Sequence, residues 1–195
     1  MRLCSIASGS SGNCIYVGSD NTHLLVDVGI SGKRVEQGLN SLELTGKDID
    51  GILITHEHSD HIHGVGVLAR KYGMDLYANE ATWKAMEGSK YLGKVDDSQK
   101  HLFEMGKTLT FGDLDVESFG VSHDAAAPQF YRFMKDGKSF VMLTDTGYVS
   151  DRMAGIGLVV ARTGATTRPP VRLLSCRRFS KTFSKPLRPP TDIPA

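Results

Sequence analysis

Apolar and polar positions alternate over short distances through the first part of the chain and predict three brief strands, at residues 2–6, 14–17 and 23–28;. A run of small residues from Ala7 to Asn13 separates the first two, and a Gly-Ser-Asp-Asn turn at 18–21 separates the second from the third. The period then lengthens. Ile30, Val35, Leu39 and Leu42 fall close to helical spacing, predicting a helix over 30–44 with Ser31 as a candidate cap;. Residues 51–55 form an apolar run of the kind expected of a strand buried on both faces;. Val65, Leu68, Ala69 and Tyr72 predict a second helix running from His61 to about Gly73. A short strand at 75–78 and a short helix at 80–87 follow. From His101 the pattern is strand throughout, at 101–104, 107–111, 114–119, 129–134 and 138–143, with Asp136-Gly137 marking a hairpin;. Strands interleaved with helices, then a meander, predict an α/β fold whose sheets are covered by helices.

Past Gly157 neither periodicity persists. The bulk numbers sharpen that boundary: residues 1–156 carry 15 Lys+Arg against 21 Asp+Glu, while residues 157–195 carry 8 against 1 and hold six of the seven prolines. We therefore expect one domain over 1–156 and a basic, Pro/Arg-rich tail over 157–195 that is disordered. The tail arginines and lysines suit phosphate contacts, but without aromatic residues interleaved the simpler reading is a solvated segment. No apolar run approaches the about 20 residues of a membrane span, so no membrane association is expected. Nothing at the N-terminus resembles a signal peptide. Cys4, Cys14 and Cys176 are an odd, scattered set that predicts no disulfide framework and suits the cytoplasm;. Cys4 and Cys14 are expected as buried thiols.

Candidate chemistry gathers where the apolar run 51–55 ends. His56-Glu57-His58-Ser59-Asp60-His61 places three histidines and an aspartate within six residues. His56 and His58, two apart on extended chain, can converge on one ion, and Asp60 and His61 on the next turn can face a second. Imidazole with a single carboxylate suits zinc, with manganese or iron as alternatives, better than magnesium or calcium. Two further polar groups follow apolar strands: His123 in Gly120-Val121-Ser122-His123-Asp124, and Asp145 in Leu143-Thr144-Asp145-Thr146-Gly147. On its own the first reads equally well as a loop histidine, and the second as a turn or cap aspartate. The six-residue cluster shifts both toward ligation. Tyr131 is a further candidate for this region, which spacing alone does not place there.

These residues resemble the metallo-β-lactamase superfamily of binuclear metal hydrolases. The fuller set resembles its YycJ/WalJ-type branch: Ser8-Gly9-Ser10-Ser11-Gly12-Asn13, Leu25-Val26-Asp27-Val28-Gly29, the His56–His61 cluster, Ser122-His123-Asp124 and Leu143-Thr144-Asp145-Thr146-Gly147. The resemblance spans residues 1 to about 156. It implies an αββα sandwich with two divalent metal ions at one edge. By the same resemblance, His56, His58 and His123 hold one ion, Asp60 and His61 the other, and Asp145 bridges both. It further implies a metal-generated hydroxide attacking an ester, thioester, amide or phosphodiester, with Asp60 orienting the nucleophile. Asp27 and Asp124 are candidate carboxylates behind the ligands, fixing imidazole tautomers.

The family pattern also implies a histidine beyond the bridging aspartate, and this chain has none after His123. We therefore expect a truncated or frameshifted C-terminus, and a sandwich incomplete on that side. The leading functional expectation is a metal-dependent phosphodiesterase or exonuclease-like nuclease acting on nucleic acid. Alternatives are a hydrolase of a small thioester or lactone, and an inactive metal-binding remnant lacking the C-terminal ligand. The sequence leaves the oligomeric state open.

Overall fold

A computed structural model describes residues 1–142 of the chain; Asp145 and the expected tail lie outside the described residues. Six strands form the first sheet in sequential order: β1 (Arg2–Ala7), β2 (Cys14–Gly18), β3 (His23–Val26), β4 (Gly51–Leu53), β5 (Leu76–Ala78) and β6 (Lys100–Leu102). β1, β2 and β3 are mutually antiparallel, and β3 through β6 run parallel. Four antiparallel strands, β7 (Thr108–Phe111), β8 (Leu114–Gly120), β9 (Gln129–Lys135) and β10 (Lys138–Met142), form the second sheet in the order β10-β9-β8-β7. The α-helices are α1 (Gly32–Asn40), α2 (Ser59–Ile62), α3 (Val65–Tyr72) and α4 (Glu80–Met86).

Side-chain alternation along the strands generates the layers. Ile15, Val17, Leu24, Val26 and Leu53 point to one face and pack against Leu114, Val116, Tyr131 and Phe133 of the second sheet. Their neighbours Cys14, Tyr16, Leu25, Ile52 and Ile54 point the other way and pack under Val35, Leu39, Val65 and Leu68 of the helices. Two apolar faces explain why β4 lacks polar positions. Among the described residues, three layers of the expected sandwich are thus present: helices, six-stranded sheet, four-stranded sheet. On the far face of the second sheet Phe130 and Val141 are buried, with Phe119 and Val121 packed against them.

The structure differs from the sequence reading in two places. The helix expected from His61 to Gly73 is two helices, α2 and α3, broken at Gly64. Gly64 is pressed onto the chain between β3 and α1: its N–H donates to the Val28 carbonyl at 2.7 Å, and a Cβ there would overlap the Ile30 carbonyl. Helix α1 stops at Asn40 because Glu43 adopts a left-handed φ of 63° and turns Leu42 and Leu44 back onto the core. Ser31 does occupy its N-cap position, but the side chain makes no capping hydrogen bond. Cys14 is a free, buried thiol, as expected, and Cys4 is buried as well. Burial, and secondarily the charge of Asp27, push the Cys14 thiol far up, so it is no nucleophile at neutral pH;. The hairpin signal is matched by a tight turn, with Asp136 and Gly137 both at positive φ (50° and 69°) between Lys135 and Lys138;.

Candidate metal centre

The centre forms where β4 leaves the sheet. Ile54 still donates to the Tyr77 carbonyl (2.9 Å), and the next residues turn across the sheet edge to His58, the N-cap residue of α2. His56 and His58 project from this extended segment, while Asp60 and His61 lie in the first turn of α2. The ring centroid of His56 is 4.6 Å from that of His58 and 4.0 Å from that of His61.

Asp27, at the end of β3, organises the inner side. Its Oδ1 accepts from the Thr55 N–H at 2.8 Å; its Oδ2 accepts from the Thr55 hydroxyl at 2.8 Å and from His61 Nδ1 at 2.7 Å. Asp27 is 1% exposed and His61 is 0% exposed, so water competes for neither. A proton on His61 Nδ1 leaves Nε2 as the atom available to a cation. Because the Thr55 hydroxyl gives its hydrogen to Asp27, its oxygen accepts from His56 Nδ1 at 3.0 Å. One buried carboxylate therefore fixes the tautomers of two histidines, directly and through Thr55. Asp27 holds a left-handed φ of 57°, which keeps its own N–H on the Leu53 carbonyl at 2.9 Å.

The small-residue loop closes the other flank. Asn13 donates through its backbone to the Asp60 carbonyl (2.8 Å), and its carbonyl accepts from Gly29 N–H (2.7 Å). The Asn13 amide group lies 3.1 Å from His61 Nε2 and 3.5 Å from Asp60 Oδ2. Gly29 is required here by space, since a Cβ would overlap the Asp60 carbonyl. The Asp60 carboxylate is thus delivered to within 3.7 Å of His61 Nε2.

His123 arrives from the second sheet, on the loop joining β8 to β9. Its ring centroid lies 4.9 Å from that of His56 and 5.2 Å from that of His58. One nitrogen from each of His56, His58 and His123 lies within 4.8 Å of the others. Small ring rotations close such a spread onto one cation, whose bonds to imidazole nitrogen are about 2.0–2.1 Å. The donor chemistry, three imidazoles, fits zinc, iron or manganese. Asp60 and His61, beside each other, fit a second ion, which would take over from the Asn13 amide the lone pair of His61 Nε2.

The structure thus brings together His56, His58, Asp60, His61, His123 and Asp27. It does not bring in Asp124, which is exposed and makes no hydrogen bond to these imidazoles among the described residues. Tyr131 lies beneath the centre: fully buried, it donates its hydroxyl to the Ile54 carbonyl at 2.7 Å and accepts from Gln129 Nε2 at 2.7 Å. His63 is exposed, its ring 5.2 Å from that of Tyr91. Thr55, Asn13 and Gly29 are the functional neighbours that the sequence reading passed over individually. Their signal was position alone, Thr55 directly before the histidine cluster and the other two within the small-residue motifs.

This fold is shared with known proteins. The sequence model of the metallo-beta-lactamase superfamily matches residues 7–151, and the chain belongs to that superfamily. Within it, the chain is 75% identical over 151 residues to the exodeoxyribonuclease WalJ of Streptococcus pneumoniae, covering 77% of this chain and 56% of that protein. It is 56% identical over 156 residues to the exodeoxyribonuclease YycJ of Bacillus anthracis, covering 80% of this chain and 58% of that protein. These similarities support the YycJ/WalJ branch. The chain spans little more than half the length of these curated relatives. Among solved structures, the Rm3 metallo-beta-lactamase superposes with a TM-score of 0.61 at 17% identity, covering 77% of this chain and 64% of that one. A metallo-beta-lactamase from Cronobacter sakazakii gives 0.61 at 16% identity, with 71% and 60% covered. Both bear out the fold. No helix among the described residues is long and apolar enough to cross a membrane.

Proposed function

We propose that this chain carries the metal-binding part of a nuclease that removes nucleotides from the ends of DNA by metal-dependent phosphodiester hydrolysis. The observation that carries the reading is the convergence of His56, His58 and His123 from two sheets, in a chain with 75% identity to a protein named as an exodeoxyribonuclease. His56, His58 and His123 would hold one divalent ion; Asp60 and His61, with Asp145, would hold the second. When bound, the ion pair supplies Lewis acidity for the phosphoryl oxygens and lowers the pKa of water to give a nucleophile at neutral pH.

The chain's own residues do the rest. Asp27 keeps the His61 proton on Nδ1 and, through Thr55, orients His56, so the ligand face needs little reorganisation on loading;. Asp60, on the rim beside His61 and within reach of Asn13, is placed to orient the attacking water. Zinc is the proposed metal, with manganese and iron as alternatives.

The test pairs metal content per chain with hydrolysis of end-labelled DNA, bis-p-nitrophenyl phosphate, and a lactone or thioester. Two metal equivalents and stepwise shortening of DNA are expected, with His58→Ala reducing the metal to one equivalent or fewer. Hydrolysis of the lactone or thioester alone would move the reading to a small-molecule hydrolase. One equivalent or none in the wild type, with no turnover, would make this chain a metal-binding remnant.

A further inference from the structure

Glu57 stands between two candidate ligands, and the chemistry above gives it no role. On extended chain, successive side chains point to opposite sides, so with His56 and His58 facing the centre, Glu57 faces away from it. What it meets there is the loop that carries His123. Glu57 Oε1 accepts a hydrogen bond from the backbone N–H of Ala126 at 2.8 Å. The other oxygen, Oε2, is buried with no hydrogen-bond partner among the described residues, while the bond to Ala126 is itself exposed.

The loop has few other restraints. Within it, Val121 donates to the Pro128 carbonyl (3.0 Å) and Ala125 to the His123 carbonyl (3.0 Å). Its far end is tied by Asn79 Nδ2 to the Ala127 carbonyl (2.8 Å) and by Gln129 N–H to the Thr55 carbonyl (3.0 Å). Near His123 itself, the Ala126–Glu57 bond is the tie to the first sheet, and it is charge-assisted.

We propose that Glu57 is a positioning residue for the metal centre: by clamping Ala126 it sets where His123 sits relative to His56 and His58. The segment that supplies two ligands thereby also fixes the third, across the gap between sheets. This rests on reading those three histidines as ligands of one ion.

The test compares Glu57→Leu, which keeps bulk and removes the acceptor, with Glu57→Gln, which keeps an acceptor oxygen and removes the charge. Glu57→Ala replaces the leucine variant should that one not fold. Two quantities are read on the whole chain: zinc affinity by competition with a chromophoric chelator, and amide exchange of residues 121–128 in the metal-free protein. For Glu57→Leu, zinc affinity should fall about tenfold and exchange should quicken in 121–128 but not around Asp27 and Thr55. Glu57→Gln should stay within about twofold of wild type. The proposal is overturned if Glu57→Leu leaves both readouts unchanged, or if Glu57→Gln matches it, since charge rather than the clamp would then be responsible. A wild type that takes up no zinc removes the ligand reading itself, a failure visible before any variant is compared.

Discussion

The two sides of the centre are built differently. His61 is sealed, its Nδ1 on the buried carboxylate of Asp27 and its backbone in a helix seated on Gly29 and Asn13. His123 stands half-exposed on an eight-residue connection between β8 and β9, steered from outside by Glu57 and Asn79. On the first side, ligand geometry and fold stability are one network and cannot be changed separately. On the second, the ligand can be altered with little effect on the fold. A site assembled this way is preorganised from the first sheet and completed from the second.

The sharpest way to break that contrast is to remove Asp27. Asp27→Ala leaves the Thr55 N–H, the Thr55 hydroxyl and His61 Nδ1 buried without their acceptor, and puts alanine at a left-handed φ. We expect a loss of about 3–5 kcal/mol in urea unfolding. Asp27→Asn, which tolerates that φ and keeps one acceptor oxygen, should be milder. His123→Ala should change stability by no more than about 0.5 kcal/mol while abolishing the three-histidine site in a metal titration. Equal destabilisation by Asp27→Ala and His123→Ala would erase the distinction.

Gly29→Ala separates the two sides in another way. The added methyl must displace the Asp60 carbonyl, and such overpacking costs about 1–3 kcal/mol;. The expected outcome is one metal equivalent retained at His56, His58 and His123, with the Asp60–His61 position lost. Loss of both, or of neither, would show that α2 does not move independently of the histidine segment.

Tyr131→Phe tests whether the second sheet supports the first beneath the centre. It removes the hydroxyl that donates to the Ile54 carbonyl and accepts from Gln129. A cost of about 1–2 kcal/mol is expected by urea unfolding, with metal stoichiometry unchanged. A metal equivalent lost in this variant would mean that Tyr131 shapes the ligands themselves.

Much of this arrangement was legible in the sequence because it lies in local pattern. Alternation of apolar residues located the strands and, at β4, signalled burial on both faces. The density of imidazoles from His56 to His61 pointed to a cation site, and the family resemblance pointed to Asp27 as a carboxylate behind it. What escaped is carried by backbone groups and by space. Nothing in the apolar spacing of 61–73 marks Gly64 as a break; that break exists because the chain at Val28 and Ile30 presses on it. Glu57 was given no role because its partner, a backbone N–H 69 residues away, has no side-chain signature.

The far end of the sandwich offers the mildest test, and it isolates stability from metal chemistry. There Asp113, in the turn before β8, accepts hydrogen bonds from Ser19 and Thr22 (2.9 Å) of the β2–β3 turn and from Lys135 (2.9 Å) of β9. The Ser19 hydroxyl first, and then Lys135, hold its carboxyl well below its ordinary value of 3.8. A folded value depressed in this way contributes stability that is complete above the ordinary value and is lost as pH falls below it. Asp113→Asn should therefore lower the urea midpoint at neutral pH, and its gap to wild type should narrow on going to about pH 3. Because Asp113 is surface-lying, the effect should be the smallest of the set. Metal stoichiometry at neutral pH should not change. A gap that stays constant from neutral pH to about pH 3 would show that the bonds to Ser19, Thr22 and Lys135 do not depend on the charge of Asp113, leaving the far end tied by shape alone.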